Sequence, residues 1–213
     1  MKTKIPKIIH QLWVGDKPIP EQIKGFTDKM PEINQGYECK LWGNEVFDRY
    51  KDDPYLTNYL KEPDLYRWAF ICDRVRCLLL KEFGGIYVDA DALPIQSFDM
   101  IMDKLNENIT FFTGMKPTQQ NNTLFDCAVY GSAPNSRMIN NLIDTYDDIN
   151  WANGCKIFSD RIIKVMDSDV ACFGYEYFYD DKETEKTIVL HDTEETRLFS
   201  WTWDDEQKIR ENW

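Results

Sequence analysis

The sequence predicts an α/β fold in which a mainly parallel central sheet is covered by helices. Three observations carry that expectation. Short runs of β-forming residues alternate with stretches of helical apolar spacing, the rhythm of a parallel sheet. The longest helical stretch stops at Gly84-Gly85 and gives way at once to a short apolar strand, Ile86-Tyr87-Val88. No internal repeat and no long linker interrupts the chain, so residues 1–213 are read as one domain, large enough to bury a core. In such folds ligands sit at the carboxyl ends of the strands.

The elements follow in order. Lys7 to Val14 is a β-type run that starts after Pro6 and ends in the turn Gly15-Asp16-Lys17-Pro18. Glu21 to Lys29 has helical spacing through Ile23, Phe26 and Met30, Glu38 to Trp42 reads as a strand, and Asn44 to Tyr50 as a helical turn or two. Asp52-Asp53-Pro54 reads as punctuation. The longest helix spans Asp64 to Phe83, capped by Asp64 and ended by Gly84. Its apolar stripe is Leu65, Trp68, Ala69, Cys72, Val75, Leu79 and Phe83, and Asp73 and Arg76, three residues apart, are surface neighbours whose plain reading is an ion pair. Beyond Pro94, Ile109 to Thr113, Cys127 to Tyr130 and Thr187 to Leu190 read as strands, and Ser136 to Tyr146 and Ser159 to Met166 as helices. A polar loop lies at Thr118 to Thr123, and an aromatic run at Phe173 to Tyr179 precedes the final strand.

Charge and cysteine usage limit the function classes. A net charge of −12 excludes a surface built to grip a nucleic-acid polymer, which needs basic groups to displace counterions. A single nucleotide is compatible, because a bound metal neutralises its phosphates locally. The cysteines at 39, 72, 77, 127, 155 and 172 have no short regular spacing and read as reduced, mostly buried thiols. No signal-peptide core and no run of about 18 apolar residues is present, which points to a cytoplasmic protein. Without a basic amphipathic helix nothing calls for peripheral membrane contact, and nothing forbids it.

The strand 86–88 delivers Asp89 and Asp91 with only Ala90 between them. In extended backbone alternate side chains share a face, so the two carboxylates would point together and offer a site for Mg²⁺ or Mn²⁺. The competing reading makes them turn residues at a strand end.

The segment Ala69-Phe-Ile-Cys-Asp73-Arg-Val-Arg76, followed by Leu78-Leu-Leu-Lys-Glu-Phe-Gly84-Gly85-Ile-Tyr87-Val-Asp89-Ala-Asp91, resembles the signature of glycosyltransferase family 32, the enzymes with a DXD sugar-binding region. That family includes initiating α-1,6-mannosyltransferases and capsular polysaccharide enzymes, and the glucosylating domains of clostridial toxins carry a related core. The opening Ile5-Pro6-Lys7-Ile8-Ile9-His10-Gln11-Leu12-Trp13-Val14-Gly15 is similar to the family's first strand, and His191 with Ser200-Trp201 is a weaker third match. Cys72 stands where many members have serine, a small-for-small exchange.

The resemblance implies a GT-A fold, a single Rossmann-like nucleotide-sugar-binding domain, and a retaining transfer of a hexose that depends on Mn²⁺ or Mg²⁺. The donor would be a nucleotide sugar, UDP-hexose before GDP-mannose, and the acceptor a saccharide or lipid-linked saccharide. Trp13 would stack on the base. Asp73 and Arg76 would hold sugar hydroxyls and the diphosphate region, and Tyr87 would line the nucleotide side. Asp89 and Asp91 would contact ribose and metal; His191 and Ser200 would close the site on the metal and phosphate side, with Trp201 or Trp203 over the phosphates. Each has a structural alternative: Trp13 as a core residue, His191 and Ser200 as loop residues, the tryptophans as packing for the C-terminal segment. Two other functions compete, a non-catalytic nucleotide-sugar-binding protein and a haloacid-dehalogenase-like phosphatase, whose Asp-x-Asp usually lies near the N-terminus and is followed by Gly-Thr.

Overall fold

The computed structural model describes residues 3–61, 67–117, 123–145, 154–179 and 182–191. In chain order the elements are β1 (Ile8–Leu12), α1 (Glu21–Ile33), β2 (Glu38–Trp42), α2 (Glu45–Arg49), α3 (Pro54–Tyr59), α4 (Arg67–Phe83), β3 (Gly85–Val88), β4 (Leu93–Pro94), α5 (Asp99–Met102), β5 (Phe111–Pro117), β6 (Thr123–Ser132), α6 (Arg137–Asp144), α7 (Gly154–Val165), β7 (Val170–Phe173) and β8 (Val189–Leu190). A 3-10 turn at Tyr175–Tyr177 follows β7.

The main sheet has the order β2-β1-β3-β6-β5-β7. β1 runs parallel to β2 and β3, and β5 parallel to β7, while β6 is antiparallel to both of its neighbours. The sheet is therefore mainly parallel, as expected, with one reversed strand at its centre. The stretch between Pro117 and Thr123 is too short for a crossover helix, so β5 and β6 must run in opposite directions.

Side chains on successive strand residues separate into two cores. Ile9, Ile86, Val88, Phe112 and Val129 lie on one face with Met30, Phe98, Ile101 and Phe178. Leu12, Tyr87, Phe111 and Tyr130 lie on the other, against Ile71, Val75 and Leu79 of α4, Met138 and Leu142 of α6 and Ile162 of α7. The fully buried line of α4 is 71/75/79, one residue off part of the expected stripe; Cys72 and Trp68 flank it, and Leu65 lies outside the described residues.

Several local expectations change. Asp52-Asp53-Pro54 does more than punctuate: the Asp53 carboxylate accepts from Tyr55 and Leu56 N–H at 3.1 Å and Pro54 takes the first turn of α3. α1 continues past Lys29, with Pro31 in its last turn. β1 ends at Leu12, which leaves Trp13 and Val14 beyond the strand. Cys39, Cys72, Cys77, Cys127 and Cys172 are free thiols, and Cys172 is exposed rather than buried. Among the described residues no helix is long and apolar enough to cross a membrane.

Gly84 and Gly85 turn α4 into β3 with φ values of +64° and +100°. A Cβ on Gly84 would meet Pro134 Cδ at 2.6 Å, and one on Gly85 would meet the Ile8 carbonyl at 2.5 Å. Both positions therefore require glycine, and the helix and strand that carry the site meet there. Gly85→Ala should lower the unfolding free energy by at least about 2 kcal/mol in a urea titration, because the residue's backbone is left-handed and its neighbour is backbone.

His10 is buried; its Nε2 bonds the Gly84 carbonyl at 2.9 Å while Nδ1 accepts from Trp42 Nε1 at 3.1 Å. That pattern needs the neutral ring with hydrogen on Nε2. Burial lowers its pKa to about 4, against the opposing Gly84 bond. Neutral His10 thus contributes stability that is complete above pH 6.5 and is lost as pH falls toward 4, about 3 kcal/mol in all. Urea midpoints should follow that window, and His10→Asn should flatten it; an equally steep profile in the variant would assign the loss to carboxylates.

Candidate functional site

β3 carries its chain to the carboxyl edge of the sheet and releases it at Asp89. The backbone does not stay extended there. Asp89 N–H bonds the Ala128 carbonyl at 2.9 Å, and Ala92 N–H returns to the Asp89 carbonyl at 3.1 Å, closing a turn. The shared-face expectation for Asp89 and Asp91 therefore had the wrong backbone. The turn nonetheless brings the two together, and β4 completes the group by pairing antiparallel with β8, Leu93 opposite Leu190, so that the next residue, His191, reaches the same place. His191 Nε2 lies 3.3 Å from Asp91 Oδ1 and 3.8 Å from Asp89 Oδ2. One ligand atom from each of the three residues falls within 4.8 Å of the others.

Arg76 ties this group to α4. Its guanidinium is paired with Asp73, bonds the carbonyls of Cys72 and Cys127, and lies 3.5 Å from Asp89 Oδ1. Its carbon sits 4.7 Å from the centre of the Tyr87 ring, and the Tyr87 hydroxyl donates to Asp89 at 2.7 Å. One cation thus organises both carboxylates.

The electrostatics suit a divalent ion. Burial raises the Asp89 pKa and so does Asp91, while Arg76, His191 and the Tyr87 hydrogen bond hold it down. Burial pulls the His191 pKa down, but Asp91, Asp89 and Asp126 outweigh it and lift it to about 9. A proton on His191 therefore offsets carboxylate charge where a cation would. His191 Nδ1 is buried with no hydrogen-bond partner among the described residues. Two carboxylate oxygens and one imidazole nitrogen fit Mn²⁺, and fit Mg²⁺ less well because of the nitrogen.

Asp73, Arg76, Tyr87, Asp89, Asp91 and His191 are thus brought together. Trp13 follows β1, the parallel neighbour of β3, and its N–H bonds the Trp42 carbonyl at 2.9 Å, so it stands just past the same edge of the sheet. Its side chain is half-buried, and its Nε1 donates to the Lys17 carbonyl at 3.0 Å, so it is not a core tryptophan on the strand. Ser200, Trp201 and Trp203 lie outside the described residues.

Two side chains at the site were not singled out from the sequence. Asp126 on β6 is buried, accepts from Ala128 N–H at 2.9 Å and lies 3.5 Å from Lys116 Nζ. Tyr179 packs edge-on to His191 with ring centres 6.1 Å apart. The legible signal for Asp126 was a lone charge inside the apolar run Leu124 to Tyr130; Tyr179 was one aromatic among several.

A family model described as "Glycosyltransferase sugar-binding region containing DXD motif" matches residues 16–109, a range that includes Asp73, Arg76, Asp89 and Asp91. An uncharacterized glycosyltransferase of Acanthamoeba polyphaga mimivirus is 28% identical, the alignment covering 92% of this chain and 84% of that protein. Inositol phosphoceramide mannosyltransferase 3 of Schizosaccharomyces pombe is 38% identical over 46% of this chain but only 27% of its own length. Among solved structures, the PaToxG glycosyltransferase superposes with a TM-score of 0.55 at 18% identity, covering 76% of this chain and 70% of that one. A glycosyltransferase involved in glycosylation of the major capsid of PBCV-1 gives 0.53 at 10% identity, covering 89% and 96%. The arrangement is of the GT-A type.

Mn²⁺ binding should displace the His191 proton. Calorimetry near pH 7.5 in buffers of different ionisation enthalpy should show proton release, with affinity rising as pH approaches 9, because the metal and the proton compete for one nitrogen. Asp91→Asn should weaken Mn²⁺ by more than about ten-fold while the far-ultraviolet dichroism is unchanged.

Proposed function

Because this chain belongs to the glycosyltransferases whose sugar-binding region contains the DXD motif, we propose that it is a retaining, divalent-metal-dependent hexosyltransferase. It takes a hexose from a nucleotide sugar, UDP-hexose or GDP-mannose, and passes it to a saccharide or lipid-linked saccharide in polysaccharide or glycoconjugate synthesis. All of this rests in one domain spanning residues 1–213. The observation that supports it most is the convergence of Asp89, Asp91 and His191 beside the Asp73–Arg76 pair at the carboxyl edge of the sheet.

The chemistry explains these residue types. Breaking the anomeric bond leaves a nucleoside diphosphate with accumulated negative charge, and a protein of net charge −12 must supply local positive charge to receive it. Asp89, Asp91 and His191 would hold a divalent cation, which would supply Lewis acidity for that diphosphate. Arg76 adds a fixed buried charge; with most of its donors engaged by the protein, it acts chiefly by holding Asp73 and Asp89 in place. Asp73 accepts from hydroxyls of the donor sugar. Trp13 offers an aromatic face to the base, Tyr87 fixes the Asp89 carboxylate on the nucleotide side, and Ser200 with Trp201 or Trp203 closes over the phosphates. Retention of configuration follows the family resemblance.

The relatives named as mannosyltransferases favour a second reading of the donor, with mannose as the transferred sugar. Thermal unfolding with UDP and with GDP, each with and without Mn²⁺, tests both. At about a hundred times its dissociation constant, the correct nucleotide should add about 2.7 kcal/mol, which for a chain of this size is about 5 to 10 °C. Stabilisation by one nucleotide, only with Mn²⁺, is the expected result. No shift with either at saturation would count against any nucleotide-sugar site, catalytic or not, and return the site to the phosphatase reading.

A further inference from the structure

Tyr179 follows the 3-10 turn and packs in the core that lies across the sheet from α4. Its ring stands edge-on to His191, Lys116 Nζ lies 5.9 Å from its centre, and the residue is only 7% exposed. Its buried hydroxyl makes no hydrogen bond of normal geometry among the described residues; the Val129 backbone lies near enough to lower its pKa, but offers it no acceptor of good geometry. A phenol hydroxyl carries its proton at neutral pH and is a hydrogen-bond donor. A buried donor without an acceptor is an unbalanced loss of hydration, and such a group calls for a partner, a water in the free protein that a ligand hydroxyl would replace.

Asp126 is the complementary acceptor. One of its oxygens takes the Ala128 N–H, and the other faces Lys116 Nζ at 3.5 Å, a distance suited to charge balance more than to a hydrogen bond. The carbonyl of its neighbour Cys127 accepts from Arg76, and its partner Lys116 also lies against the Tyr179 ring, so Asp126 stands on β6 beside the site.

We infer that the Tyr179 hydroxyl and the Asp126 carboxylate form a second wall of the donor pocket, which hydrogen-bonds hydroxyls of the transferred hexose and selects among hexose epimers. The inference rests on the nucleotide-sugar reading and deepens it. A donor and an acceptor fixed by packing match adjacent sugar hydroxyls of one configuration. An epimer would leave at least one of these buried groups unpaired, the situation in which binding sites discriminate most strongly.

The test compares wild type, Tyr179→Phe and Asp126→Asn by calorimetry with Mn²⁺ and four probes: UDP, UDP-galactose, UDP-glucose and GDP-mannose, with GDP as the control for the last. The expected result is an affinity for the nucleoside diphosphate within about two-fold of wild type, and an affinity for the matching sugar nucleotide weakened about ten-fold in each variant. The ligand-free Tyr179→Phe protein should unfold at the wild-type temperature or above it, because only an unpaired hydroxyl is removed. A midpoint several degrees lower would show that the hydroxyl has a structural partner and would overturn the inference. Unchanged sugar-nucleotide affinity in either variant would overturn the assignment of that residue. If wild type itself binds neither UDP nor GDP with Mn²⁺, the nucleotide-sugar reading fails and takes this inference with it.

Discussion

The site depends on one buried guanidinium. Arg76 is inaccessible on the core side of α4, yet it lies against Asp73 from its own helix, Asp89 from the end of β3, and the carbonyl of Cys127 on β6. Removing an ion of this kind from water is expensive, and only several simultaneous hydrogen bonds and opposite charges compensate for it. Here the compensation comes from three different elements. Arg76 therefore fixes helix, strand and reversed strand relative to one another at the place where the carboxylates emerge. Burial raises the Asp73 pKa and the Arg76 charge opposes it, so the pair stands or falls together.

The backbone makes that arrangement reachable. Gly84 and Gly85 let α4 fold back onto β3 against Pro6, Pro134 and the Ile8 carbonyl, and so Arg76 in the helix comes level with Asp89 beyond the strand. At the far end of the chain, two residues of β8 pair with two of β4 and bring His191 to carboxylates a hundred residues earlier in sequence. This small ribbon, with Val189 and Leu190 buried in the core, brings the His191 ring against Asp91.

Much of this was legible in the sequence, and the failures have physical causes. α4, β3 and β2 were readable because periodicity, glycine stops and β-formers agreed there. The proximity of Asp89 and Asp91 was anticipated by an argument from extended backbone, whereas a turn is what creates it. α3 was missed although Asp53 and Pro54 are good cap and first-turn residues, because the helix is short and carries little periodic signal. The reversal of β6 follows from a short connection that is recognisable only once the ends of β5 and β6 are known, and the pairing of β4 with β8 is a long-range fact that no local pattern encodes. Asp126 and Tyr179 escaped for the same reason: each becomes notable only once folding has placed it beside His191 and removed it from water.

In the proposed reaction the group around Asp89, Asp91 and His191 serves cleavage of a nucleotide-activated hexose. Phosphorus NMR of UDP-galactose, UDP-glucose and GDP-mannose incubated with the protein, with and without Mn²⁺, tests it most directly. One donor, only with Mn²⁺, should give way to the nucleoside diphosphate, slowly with water and faster with a suitable saccharide. Release of inorganic phosphate, or no consumption of any donor, would contradict it.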